Sequence, residues 1–195
     1  MEEIKNVMAL FDSKDKWNAF IELSNMRTEL VNELKDRLII ELKKIAESSL
    51  TDSGWIFDAN YDYIKMYPIG SNIVGVVIEW RCWNEPWSRR GACIWFNRDD
   101  KSIDWPKVYD KIKTNKNSLH LQDYGENIQN HGWLPFVKQI PAKVFDVEND
   151  TTSVEKCLYM AKDHASQLAT NLWEEVYKPF ANKEIADLMR SFVKE

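Results

Sequence analysis

Glycine and proline are scarce in this sequence, six of each in 195 residues, which excludes collagen-like, low-complexity and globally disordered chains. The glycines are also dispersed. Neither G-x-G-x-x-G nor G-x-x-x-x-G-K-[ST] occurs, so the phosphate-cradling loops of dinucleotide folds and P-loop enzymes are missing. Three cysteines, Cys82, Cys93 and Cys157, form no C-x-x-C pair and leave an odd thiol, which favours a reduced intracellular compartment over a disulfide framework. Three histidines, His120, His131 and His164, lack the spacing of H-E-x-x-H or of repeated Cys/His pairs, so no metal or other cofactor is implied. No G-x-S-x-G elbow marks a hydrolase nucleophile. No run of 18 apolar residues offers a membrane span. The opening MEEIKNVMALF reads as neither a secretory signal nor a transit peptide, and a cytoplasmic location is expected.

What remains is an ordinary globular composition, 44% hydrophobic and 29% charged, with a net charge of −5. That length suits one compact domain over residues 1–195. The first segment, 13–48, is helical: Phe20, Leu23, Met26, Leu30, Leu34, Leu38, Leu42 and Ile45 recur at three- and four-residue spacing, forming a stripe expected to pack on the chain's own sheet. Asp12 is expected to cap it, and a break near Ser24–Asn25 fits the pattern. At 55–98 the period falls to two. Val74, Val76, Ile78, Trp80 and Cys82 share one strand face; Gly75, Glu79, Arg81 and Trp83 share the other. Tyr61, Tyr63, Lys65 and Tyr67 line one side of a preceding strand. These segments predict an antiparallel meander.

Residues 104–147 read as a short helix capped by Asp104, a polar connection over 114–132 with at most a short strand at 119–121, and a short edge strand at 143–145. Thr152-Ser153-Val154-Glu155 has capping-box spacing. A long helix follows on Val154, Leu158, Ala161, Ala165, Leu168, Leu172 and Val176, ended or kinked by Pro179, and a shorter one closes the 152–193 segment. The expected fold is α+β, an antiparallel β-sheet packed against long N- and C-terminal helices.

Nine tryptophans are the unusual count; most are expected in the core. Three of them, Trp80, Trp83 and Trp87, fall close together, and four of the seven arginines, Arg81, Arg89, Arg90 and Arg98, lie between 81 and 98. Trp and Arg are the residue types of binding hot spots. The expected site is therefore a hairpin carrying Arg81, Trp83, Trp87, Arg89 and Arg90 that contacts an acidic partner, protein before nucleic acid, without catalysis. One alternative is a metal-dependent phosphoester hydrolase using Glu79 with Asp58 or Asp62. That arrangement recruits arginine where a proton-transfer lysine would serve better. A second alternative is a structural module that dimerises through the long helices.

Overall fold

The computed structural model describes residues 7–71, 74–80, 91–96, 104–115, 117–119, 136–149, 151 and 153–193. Helices α1 (Lys14–Asn25) and α2 (Arg27–Ser49) lead into strands β1 (Trp55–Ala59), β2 (Tyr63–Pro68), β3 (Val74–Glu79) and β4 (Gly91–Phe96). Helix α3 (Trp105–Thr114) and strand β5 (Phe136–Gln139) follow. The chain then forms α4 (Val154–Leu158), α5 (Ala161–Leu172), a π-helical turn at Trp173–Tyr177 and α6 (Lys183–Val193). The sheet has five strands in the order β1-β2-β3-β4-β5, each antiparallel to its neighbour. The fold is α+β, a sheet packed against helices from both ends of the sequence.

Local chemistry explains the hairpins. Between β1 and β2 the Asn60 side-chain oxygen accepts from the backbone N–H groups of Asp62 and Tyr63, at 2.9 and 3.0 Å, an Asx turn. Gly70 follows β2 at φ +80°, a left-handed conformation that suits glycine. Tyr61 and Lys35 tie the same hairpin to α2. The Tyr61 hydroxyl donates to Asp36 at 2.8 Å, and Lys35 Nζ donates to the Tyr61 carbonyl at 2.6 Å. Burial holds the Lys35 amine below the ordinary lysine range, against the opposing pull of Asp62 and Glu155.

One face of the sheet carries the core. Trp55, Ile64, Met66, Val74, Val76, Ile78, Trp80, Ala92 and Ile94 are buried there together with Leu38 and Leu42 of α2, Leu168 and Leu172 of α5, Val176, and Met189 of α6. The alternation expected for Val74, Val76, Ile78 and Trp80 is therefore met, and Leu168, Leu172 and Val176 are fully enclosed. Directional bonds pin the helices to the strands. The Tyr177 hydroxyl donates to the Ile64 carbonyl at 2.9 Å in the interior. Trp55 Nε1 donates to the Asn182 carbonyl at 2.9 Å, and Arg190 reaches the carbonyls of Gly54 and Ile69.

Several expectations are corrected. The leading stripe is not buried along its length: Phe20, Leu23, Met26 and Leu30 are exposed, and burial begins at Leu34. The helix does break next to Ser24–Asn25, at Met26, but its N-cap is Ser13, whose side chain accepts from the Lys16 N–H; Asp12 instead pairs with Lys16 at 2.8 Å. Residues 142–144 form a 3₁₀ turn, not an edge strand, because Pro141 sits ahead of it as the N-cap. The long C-terminal helix is interrupted at Tyr159–Met160, and His164 has non-helical angles. Its cap is Ser153, whose hydroxyl accepts from Lys156 N–H, one residue after the expected Thr152. The polar connection at 114–132 falls mostly outside the described residues, although Leu119 within it is buried.

Arg27, at the start of α2, pairs with Glu155 of α4. Burial pushes the Glu155 carboxyl up, but the Ser153 hydroxyl, its own backbone N–H and Arg27 outweigh that and hold it below the usual carboxylate range. Because the folded state favours the anion, the stabilisation is full above the ordinary Glu pKa of about 4.3 and fades as pH falls through the lower folded value. Glu155→Gln is expected to lower the melting temperature at neutral pH, with the gap to wild type closing in acid. Thermal melts across pH check this. Leu172→Ala should cost about 2–5 kcal/mol in denaturant unfolding, the range for an enclosed leucine whose cavity does not collapse.

Candidate functional site

The sheet's other face is built differently. On β2, strand alternation turns Tyr63, Lys65 and Tyr67 away from the helices, and all three are half-buried. Lys65 pairs with Val77 of β3, and Gly75 of β3 pairs with Trp95 of β4. These registers gather three rings around one ammonium group. Lys65 Nζ lies 4.7 Å from the Tyr63 ring centroid, 5.0 Å from Tyr67 and 5.1 Å from Trp95. Each distance is within reach of cation–π attraction.

Asp58 of β1 completes the cluster. Its Oδ2 stands 3.5 Å from Lys65 Nζ and accepts the Tyr63 hydroxyl at 3.1 Å. The lysine side chain is 12% exposed and the aspartate 42%, so the cation is the deeper partner. Burial, then the hydrogen bond and charge of Asp58, raise the Tyr63 phenol above its ordinary range, which keeps it a donor.

Gly75 sets the shape of this surface. A Cβ there would stand 2.6 Å from the Met66 carbonyl oxygen and 3.1 Å from Tyr67 Cβ, so no larger residue fits without moving the β2 backbone. The floor between Tyr67 and Trp95 is therefore bare main chain. Val77 and Cys93 are buried on this side, in a small cluster with Tyr63 and Trp95 that is separate from the main core. The arrangement offers ring faces, a held cation and one part-exposed carboxylate.

The sequence-derived site residues Arg81, Trp83, Trp87, Arg89 and Arg90 lie outside the described residues, as do Cys82, Arg98, His120 and His131. Glu79 pairs with Tyr63, which puts it on the aromatic face at the end of β3. Asp58 is engaged by Lys65 and Tyr63, and Asp62 sits in the β1–β2 turn, where its carbonyl accepts from the Trp80 N–H at 3.0 Å. Among the described residues, no three His, Cys, Asp or Glu side chains stand together as a metal site. Nor is any helix among them long and apolar enough to cross a membrane.

Trp55, Trp80 and Trp173 fill the core as expected, while Trp95 belongs to the outer face. Sequence reasoning passed over the Lys65 cluster, although Tyr63-x-Lys65-x-Tyr67 and a glycine inside the next strand were its signals. A second surface was assigned to the core. Helix α1 buries no side chain. Phe11, Trp17 and Phe20 instead stack on one another at its start, with centroids 4.8 to 5.7 Å apart.

Lys65→Met keeps the stem and removes the charge, so it should destabilise the fold by about 0.5–2 kcal/mol, the span of a cation–ring contribution from exposed to desolvated sites. Denaturant titration followed by tryptophan fluorescence reads this, and an unchanged midpoint would show that the rings gain nothing from the cation. Comparisons with protein-family models, with curated proteins and with solved structures find no match for this chain.

Proposed function

We propose that this protein is a noncatalytic binding or accessory domain of the cytoplasm that engages an acidic macromolecule, a protein, through Arg81, Trp83, Trp87, Arg89 and Arg90. One observation carries the reading: the outer sheet face holds Lys65 among Tyr63, Tyr67 and Trp95 and keeps these aromatics apart from the main core. Strand alternation that assigns Gly75 and Glu79 to this face continues, in the sequence pattern, to Arg81 and Trp83. On this reading the arginine-rich segment, which follows β3 in the sequence, acts together with a face already furnished with rings and a cation. Arginine forks match carboxylates, and indoles supply contact area at low entropic cost. Nucleic acid offers a second anionic class, but its denser charge is opposed more strongly than an acidic protein's by the net charge of −5.

Two acidic probes separate these partners, poly-glutamate and a single-stranded oligonucleotide. Arg89→Ala with Arg90→Ala should leave the melting temperature unchanged and weaken poly-glutamate binding at low salt at least tenfold. The difference should shrink as salt rises, because exposed charges are screened. Trp87→Ala should weaken binding with less dependence on salt, since it removes contact area. Equal affinity of wild type and the double variant for poly-glutamate overturns the proposal. Tighter binding of the oligonucleotide overturns the choice of a protein partner.

A further inference from the structure

We propose that the leading segment, from Val7 to Leu30, is a self-association surface on which a second copy of this chain packs. Nine large apolar side chains there, Val7, Met8, Leu10, Trp17, Phe20, Ile21, Leu23, Met26 and Leu30, are each 40–68% exposed. At roughly 100 Å² apiece they offer on the order of 900 Å² of apolar surface, above the roughly 300–600 Å² of a typical monomer's largest patch. A standard interface buries about 800 Å² on each partner, the same order as the apolar surface this segment exposes.

The helix itself argues for cover. An isolated helix of fewer than about 12–15 residues is marginal in water, and most helical stability in proteins comes from packing an apolar face. Helix α1 has 12 residues and no buried side chain, so nothing among the described residues supplies that packing. Trp17, Phe20 and Ile21 share one side at i, i+3, i+4 spacing, and Trp17 and Phe20 stack with Phe11. This is a prebuilt aromatic centre with the composition of an interface hot spot. The segment also ends on a fixed base, because Arg27 pairs with Glu155 of α4.

Charge selects the occupant. Residues 12–30 carry Lys14, Lys16 and Arg27 against Asp12, Asp15, Glu22 and Glu29, three positive and four negative groups. A strongly acidic or basic partner gains little from so balanced a surface. A lipid surface favours helices rich in Lys and Arg on the polar side, which this one is not. Two copies suit each other better. Both lysines sit in the first turn of α1 and Glu22 in its last, so a two-fold antiparallel pairing of α1 sets Lys14 and Lys16 of one copy toward Glu22 of the other. Such a contact is closed and self-complementary.

Sedimentation equilibrium of the full chain over a wide concentration range tests the proposal. Wild type should show a monomer–dimer equilibrium with a micromolar or tighter constant. Trp17→Glu with Phe20→Glu should weaken it at least 100-fold while circular dichroism and the melting temperature of the monomer stay unchanged, because neither side chain is enclosed within one copy. Leu30→Glu, on the neighbouring helix, should weaken it at least tenfold. Wild type that stays at monomer mass at the highest concentration overturns the proposal. So does a dimer indifferent to all these changes, or a monomer that co-sediments with phosphatidylcholine–phosphatidylserine vesicles through the same side chains. None of these outcomes touches the arginine-rich surface, which the poly-glutamate experiment tests separately.

Discussion

Helix α2 and helix α5 meet over the inner face of the sheet, and the rest of the molecule is arranged around that contact. Leu38 and Leu42 from one helix and Leu168 and Leu172 from the other are fully enclosed, with Ile64, Val76, Ile78 and Ile94 as the surface they cover. At about 1.5–3 kcal/mol for each enclosed aliphatic side chain, this layer supplies the main favourable contribution to folding. The polar ties are secondary in energy but fix the geometry. Tyr177 donating to Ile64, Trp55 to Asn182 and Arg190 to two turn carbonyls settle where the C-terminal segment crosses the strands.

With one face committed to the helices, the other is free to carry a surface of a different kind. Alternation along β2 sends Ile64 and Met66 inward and Tyr63, Lys65 and Tyr67 outward, so a single six-residue strand serves both core and cluster. A glycine in β3 and an indole in β4 complete the outward group. Ring faces around a mostly desolvated ammonium hold one another in place, a rigid setting against which neighbouring side chains can bind.

Parts governed by local periodicity were legible in the sequence. Alternation named the buried set of β3, the Asp104 cap of α3 was visible beside its apolar spacing, and the 3.6-residue period found Leu168, Leu172 and Val176. Parts governed by what lies across the fold were not. An amphipathic stripe states that one side of a helix is apolar, not what covers it, so the stripe from Phe20 to Ile45 read the same on both sides of Leu34. The Lys65 cluster depends on register across three strands, which no window along one strand reveals. The turn at 142–144 went astray because a short apolar run after proline fits a strand and a 3₁₀ turn equally well.

The contact between α2 and α5 joins residues more than a hundred positions apart, whereas each sheet pairing from β1 to β4 joins consecutive strands. Local pairings close cheaply and early, and distant ones close late. During synthesis at about 5–20 residues per second, α2 therefore leaves the ribosome roughly 6–25 s before α5 exists to cover it. Throughout that interval Leu34, Leu38, Ile39, Leu42 and Ala46 lack the cover of α5, and the apolar residues of the leading segment stand exposed ahead of them. A nascent chain carrying such a band is a natural client for chaperones that shield hydrophobic segments, and slow translation through the sheet would lengthen that dependence.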